Sequence, residues 1–279
     1  MTEYYKSQKI RVTSPSDYVL LVELARKPVN AFNEEFWSEL GQVFDKINED
    51  GDIRAVVLAS AFPKIFTAGL DLNNAGALQD TAPDSARKAL SLRQHILKFQ
   101  SAISSIERCR YPVIVAVHGL SLGLGIDIAS ACDIRFAAAD ASFSIKEVDI
   151  GLAADIGTLA RLPKAVGNQS LARELAYTAR PFTAAEAFEL GFVSKVVPGG
   201  QKEVIAAALD TARLIAQKSP IAVTGTKHLL LHSRDHSVAE NLEYTATWNS
   251  AQLQTSDAKD LIAAFKTKVT PKFTNLPKL

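Results

Sequence analysis

The chain has 279 residues, 47% of them hydrophobic and 22% charged, with a formal net charge of +1. That profile is globular and excludes a disordered chain, and with Lys and Arg scattered along the sequence there is no electrostatic footprint for nucleic acid or an anionic membrane surface. No run approaches the roughly 20 apolar residues needed to cross a bilayer, so membrane insertion is not expected and a small molecule is the expected partner.

In chain order, residues 1–11 include Glu3 and lack both an apolar h-region and an Arg-rich amphipathic helix, so they resemble neither a secretory signal nor a mitochondrial transit peptide. Residues 18–24 form an apolar strand candidate, broken by Lys27-Pro28-Val29-Asn30 before a helix begins. In that helix Phe36, Leu40, Val43, Phe44 and Ile47 recur at spacings of three and four, which marks one buried face. A strand at 55–60 follows Asp50-Gly51. A long helix over about 85–109 then carries Leu92, Ile96, Phe99, Ile103 and Ile106 at the same spacings. The strand 113–117 lies between Pro112 and Gly119, and a helix over 122–132 leads into short strands at 134–138 and 142–145. This alternation predicts an α/β layered core. Cys109 and Cys132 have no metal-motif spacing and are expected as reduced, buried thiols.

Beyond Gly151 helical patterns at 156–166, 170–177 and 184–190 precede a last strand at 193–197. The remainder reads as helical, with Val204, Ile205, Ala208, Leu209, Ala212 and Ile215 marking one helix and further helices at 222–231 and 238–254. The expected organisation is a core of residues 1–200 followed by a helical region of 201–279. Helical extensions of this kind commonly close over their own active site or a neighbour's, so self-association is expected.

Two glycine-containing turns stand out, Phe66-Thr67-Ala68-Gly69-Leu70-Asp71-Leu72 and His118-Gly119-Leu120-Ser121-Leu122-Gly123-Leu124-Gly125. Each places backbone N–H groups where a strand gives way to a loop or helix, and unpaired N–H groups there favour negative charge. Facing one another, two such turns make an oxyanion hole for a carbonyl oxygen; taken singly, each is equally a device for tight packing or positive φ. Three carboxylates follow. Asp127 lies in the otherwise apolar Ile126-Asp127-Ile128-Ala129, where an unpaired charge is costly and needs a partner or a purpose. Glu147 and Asp155 flank a nearly apolar loop. Local sequence also allows simpler roles: Asp155 as N-cap of the helix after it, and Glu147 in a surface ion pair with Lys146.

Gly123-Leu124-Gly125-Ile126-Asp127, Ala131-Cys132-Asp133-Ile134-Arg135, Lys146-Glu147-Val148-Asp149 and Gly151-Leu152-Ala153-Ala154-Asp155 resemble the crotonase superfamily, and within it the Δ3,5-Δ2,4-dienoyl-CoA isomerases. Ser233-Arg234-Asp235-His236-Ser237-Val238 and Ala246-Thr247-Trp248-Asn249 are similar to the same enzymes, so the resemblance covers nearly the whole chain. It implies an α/β spiral of ββα units with a helical C-terminal region that assembles trimers and usually a hexamer. By the same resemblance the oxyanion donors are the N–H groups of Leu70 and Leu124. The segment Ala68, Gly69, Leu70, Asp71 and Leu72 would line the coenzyme A pocket, with Lys27 and Ala31 nearby. Relatives commonly have Gly-Gly-Gly where this chain reads Gly-Leu-Gly; a backbone donor does not require glycine, and what changes is how closely the acyl chain can approach beside the Leu124 side chain. For Phe265 and Lys268 in the last helix, packing and solvation are the preferred readings over a substrate contact. Pro277-Lys278-Leu279 resembles the peroxisomal Ser-Lys-Leu tripeptide, with Pro in its first place, and implies an import receptor and the peroxisomal matrix, the mitochondrion or cytosol being the alternatives.

Conversion of a 3,5-dienoyl thioester to its 2,4-isomer removes a proton at carbon 2 and adds one at carbon 6, about 5 Å away, which suits two separate acid/base groups. The resemblance assigns Asp155 as the base at carbon 2 and Glu147 as the acid at carbon 6, with Asp127 beside them tuning Glu147. A hydratase of this family would have glutamates at positions 127 and 147 and usually glycine at 155. A Δ3,Δ2-enoyl-CoA isomerase, needing essentially one carboxylate, is the nearer alternative, and a family member that has lost catalysis and binds RNA or acts as a scaffold is a more distant one. No NAD, flavin or metal fingerprint appears in its required context, so no cofactor is expected and coenzyme A enters only as part of the substrate.

Overall fold

Residues 2–74, 83–269 and 271–279 are described by the structure, a computed structural model. Alternation along its strands builds the first layer. β1 (Ile10–Ser16) and β2 (Val19–Leu24) form an antiparallel hairpin, which β3 (Ala55–Ser60), β5 (Val113–Val117), β7 (Ile134–Ala138) and β10 (Lys195–Val197) extend in parallel to a six-stranded sheet in the order β1-β2-β3-β5-β7-β10. β3 and β5 are buried at every residue, as parallel strands covered on both faces must be. Val56, Leu58, Val113 and Val115 face one cluster with α1 (Glu34–Glu49) and α2 (Ser85–Arg108). Ala55, Val57, Ile114 and Ala116 face the other, where α7 (Gln201–Ala216) lays down Val204, Ala208, Ala212 and Ala216. The first helix beyond residue 200 is therefore packed into the core.

A second sheet, β4 (Ile65–Thr67), β6 (Leu120–Leu122), β8 (Ser142–Ser144) and β9 (Phe182–Thr183), runs in that order, with the first three strands parallel. Its registers pair Ile65 with Leu120 and Leu120 with Ser142. Each of β3–β4, β5–β6 and β7–β8 gives one strand to the large sheet and the next to the small one. Those repeated turns are the spiral of ββα units that the sequence motifs imply. α3 (Leu124–Ala131), α4 (Thr158–Ala165), α5 (Gln169–Thr178) and α6 (Ala184–Glu189) fill the corner beside the small sheet.

α8 (Pro220–His232) and α9 (Val238–Gln252) form a hairpin in which His228 stacks on Trp248 at 3.9 Å, and α10 (Asp257–Thr267) follows. α9 buries no residue within this chain, and Val238, Leu242, Leu253 and Phe265 are exposed. Phe265, expected to pack, is instead 85% exposed on α10. The last residues are not helical: Arg54 donates to Phe273 O and Asn275 Oδ1, Arg110 to Pro277 O, and Leu279 N–H to Glu49 O.

Three elements differ from the sequence pattern for local reasons. β1 is an edge strand whose only buried residue is Ile10, so it carries no apolar run. The helix expected at 122–132 starts at Leu124, because Leu122 belongs to β6 and Gly123 turns the chain at φ 50°. The last strand begins at Lys195, since Val193 is drawn into the α6 corner by its bond to Ala187 O. The two cysteines are buried and unbridged, as expected.

Asn30 ties these parts together. Held at φ 52°, it donates from Nδ2 to Leu24 O, Ser60 Oγ and Phe66 O, while its own carbonyl accepts from Thr67 Oγ1. Asn30→Ala removes the Nδ2 bonds to Leu24 O, Ser60 Oγ and Phe66 O and puts alanine in the left-handed region. It should lower unfolding stability by about 2–3 kcal/mol in urea titration; an unchanged midpoint contradicts the clamp.

Candidate active site

The small sheet brings the two glycine turns into backbone contact. Because β4 and β6 run side by side, a side chain on Gly69 would begin 3.0 Å from Leu122 O and 3.8 Å from Gly123 Cα. Both glycines have positive φ, 85° and 50°, so the turns are closed to other residues on conformational as well as steric grounds. Beyond Gly69, Leu70 bridges to Phe32: Phe32 N–H donates to Gly69 O and Asp71 N–H to Phe32 O, leaving the Leu70 N–H pointing off the other side. Leu124 is the first residue of α3, whose first-turn N–H groups have no partner within the helix. Neither N–H has an acceptor among the described residues. The Leu124 side chain is 4% exposed and lies in the main core.

The residues expected around coenzyme A are contiguous in space. Ala68 N–H donates to Val29 O, so the loop holding Lys27 and Ala31 lies along the segment from Ala68 to Leu72. Lys27 and Leu72 are exposed, and Ala31 and Ala68 are half-buried. Asp71 departs from a simple lining role: its carboxylate takes an ion pair from Arg26 Nη2 at 2.7 Å and the N–H of Asn73. Arg26 also donates to Ala31 O, so it and not its neighbour Lys27 fixes this loop. The sequence carried no sign of this, since two adjacent cations in a loop look alike.

Asp127, on α3, is 1% exposed and accepts the N–H of Thr158 at 2.6 Å. This is the cap of α4. Asp155, which the sequence allowed as the N-cap, is exposed two residues before Gly157, the actual cap position, and makes no such bond. The helix end is satisfied from across the site, which frees Asp155 from the structural role. Asp155 stands at the rim of a cavity of ≈ 430 Å³ between α2, α4 and the turn after α8.

Glu147 opens a single 3-10 turn, Glu147–Ile150, after β8. Lys146 pairs with Asp149 instead, so the surface ion pair allowed by the sequence does not form. The Glu147 side chain turns in toward the second glycine turn: a side chain on Gly123 would begin 3.2 Å from Glu147 Oε1. Its Oε2 is buried with no hydrogen-bond partner among the described residues. Burial pushes Glu147 up to about 7, and the negative charges of Asp127 and then Asp155 add to the effect. Burial likewise raises Asp127 to about 6, against the Thr158 N–H and the nearby Arg161 guanidinium, which favour its ionised form, while Asp155 again opposes it. Three carboxylates near two backbone donors can take a proton from the carbon next to a thioester, and return one further along a conjugated chain, while the thioester oxygen gains charge.

Comparisons with known proteins give the family of the chain. The enoyl-CoA hydratase/isomerase family matches residues 15–276. The chain is 52% identical to the human mitochondrial Delta(3,5)-Delta(2,4)-dienoyl-CoA isomerase over 90% of this chain and 76% of that one. It is 41% identical to the peroxisomal Delta(3,5)-Delta(2,4)-dienoyl-CoA isomerase of Arabidopsis thaliana over 99% of both. Among solved structures, the enoyl-CoA hydratase of Bacillus anthracis superposes with a TM-score of 0.84 at 30% identity, over 95% of this chain and 99% of that one.

The raised Glu147 has a thermodynamic signature. Folded, it binds a proton up to about pH 7, whereas unfolded it loses it near 4.5, so its ionisation costs stability progressively as pH rises through that window. Glu147→Gln should remove this loss, making the variant more stable relative to the parent at pH 8 than at pH 4.5 by about 2 kcal/mol. Urea titrations at the two pH values check it, and a pH-independent difference contradicts the burial argument.

Proposed function

The chain belongs to the enoyl-CoA hydratase/isomerase family, and from that premise we propose that it converts 3,5-dienoyl-CoA to 2,4-dienoyl-CoA in the β-oxidation of unsaturated fatty acids. The observation that carries this reading is the third carboxylate. Asp155 is released from capping α4 because Asp127 does that work, and it stands in electrostatic reach of a Glu147 raised to near neutrality. Identity of 52% with a dienoyl-CoA isomerase, against 30% with a hydratase of the same fold, supports the same choice.

In this reading the thioester oxygen is held by the N–H groups of Leu70 and Leu124, with the coenzyme A moiety along Lys27, Ala31 and the segment from Ala68 to Leu72. Asp155 removes the proton at carbon 2. Negative charge spreads from the thioester oxygen along the unsaturated chain to carbon 6, and Glu147 delivers the second proton there. A carboxylic acid that is partly protonated at pH 7 suits that delivery. Asp127 supports both events by holding α4 and by discouraging ionisation of Glu147. The electrons never leave the substrate, so the reaction requires no redox cofactor. Asp155→Asn and Glu147→Gln should each lower turnover by about 10³-fold with coenzyme A ester binding retained. Appearance of conjugated-diene absorbance from 3,5-dienoyl-CoA, run beside hydration of a trans-2-enoyl-CoA, checks this. Hydration without isomerisation by the parent protein overturns the reading in favour of a hydratase, and wild-type turnover in either variant overturns its assigned role.

The assembly and address are proposed on the same footing. A trimer, or a hexamer of two trimers, gives the exposed apolar residues of α9 and α10 a partner. Residence in the peroxisomal matrix fits Pro277-Lys278-Leu279 and the 41% identity with a peroxisomal isomerase, whereas the 52% identity with a mitochondrial one favours the alternative address. Deleting Leu279 should leave a tagged protein in the cytosol, and continued import refutes the signal.

A further inference from the structure

Behind Asp127 lies an ionic cluster that the reaction scheme leaves unused. Glu107 on α2 receives Arg161 of α4 through two bonds of 3.2 Å, from Nε and Nη2, and receives Arg234, in the turn after α8, at 2.6 Å. Arg161 Nη2 also donates to Ser104 Oγ at 2.8 Å. These bonds occupy two of the three guanidinium nitrogens and fix the plane of the group. The third, Nη1, lies against the backbone of Gly157. A side chain on Gly157 would begin in overlap with Arg161 Nη1 and only 3.7 Å from Asp127 Oδ1. Nη1 and Asp127 Oδ1 are thus within about 6 Å, the range in which opposite charges act strongly on a buried carboxyl. Glycine at 157 is what leaves room for the approach, since its φ of 168° is ordinary extended backbone.

We propose that Arg161 is a positioning residue of the reaction: gripped by Glu107 and Ser104, it lays its guanidinium along the Gly157 backbone beside Asp127 and keeps that buried carboxylate ionised. The inference rests on the isomerase reading for its consequence but not for its geometry. The groups facing Asp127 are Arg161 from α4 with Glu147 and Asp155 from the loops beside it. Those facing Arg161 from the other side are Glu107 and Arg234, with the Lys164–Asp235 pair at the cavity rim. Among the described residues, the charge that favours the Asp127 anion is that of Arg161. Without it, burial dominates and Asp127 takes up a proton near neutrality. The repulsion that discourages ionisation of Glu147 then disappears, and Glu147 loses its proton at lower pH. Arg161 therefore acts on the carbon-6 acid through Asp127, without touching substrate.

The test uses the full-length protein without ligand, carrying ¹³C-labelled Asp and Glu carboxyls, with Asp127→Asn and Glu147→Gln to assign the two resonances. In Arg161→Met the Asp127 titration should move up by about one pH unit and that of Glu147 down. Arg161→Lys should fall between Met and the parent, since the charge returns without the two-pronged grip. Gly157→Ala, which displaces Nη1 and leaves Arg161 in the chain, should move both titrations in the same directions as Met and serves if that variant does not fold. In the isomerase assay the alkaline limb of kcat for Arg161→Met should move to lower pH with KM within about twofold of the parent. Folded Arg161→Met or Gly157→Ala protein with both carboxyl titrations unmoved overturns the proposal. If the parent protein does not isomerise dienoyl-CoA, the functional reading fails while the carboxyl titrations still decide the role of Arg161.

Discussion

The parallel pairing of β4 with β6 is the contact on which the site depends. Neither strand has more than three residues. Their register places Gly69 against Leu122 O and the Gly123 backbone, and each turn's spare N–H follows from that placement. Asn30 holds the outer side of β4, and Gly119 lets β6 begin so close to Lys64 O that a side chain there would overlap it. A slip of one residue would turn every side chain of these strands to the opposite face and separate the turns.

Electrostatics supply the second constraint. An isolated buried carboxylate costs several kcal/mol, and the fold tolerates Asp127 because it caps α4 through the Thr158 N–H and lies near the Arg161 guanidinium. One buried acid thus does structural and electrostatic work together. It seals a helix end, which frees Asp155, and it raises the cost of ionising Glu147. The three carboxylates are consequently unlike one another despite similar chemistry: one committed to the fold, one buried and partly protonated near neutrality, one exposed. Differentiation by environment is how a single residue type can serve as both acid and base at one pH.

Much of the fold was legible in the sequence because its main elements bury one face with a regular period. The spacings of Phe36, Leu40, Val43, Phe44 and Ile47 locate α1, and the unbroken apolar runs locate β3 and β5. β1 and β6 were not legible: the first is a half-exposed edge and the second is three residues long, so both exist through pairing partners far away in sequence. The positions of Asp127, Glu147 and Asp155 could be named from motifs, whereas who caps α4 could not, because that bond joins residues 31 apart. Arg161 was hidden within a helical pattern, and its importance comes from Glu107 and Ser104, more than fifty positions earlier. Arg26 was hidden beside Lys27 for the opposite reason, that sequence gives no way to tell which of two adjacent cations turns inward.

The most direct measurement of the two-carboxylate account is to run the reaction on 3,5-dienoyl-CoA in deuterium oxide and locate the label in the 2,4-dienoyl product. Separate groups at carbons 2 and 6 predict deuterium at carbon 6 from the first turnover, since the proton delivered by Glu147 comes from solvent. Retention of the substrate's own proton at carbon 6 would mean that one carboxylate carries it across, and would contradict the division of roles between Asp155 and Glu147.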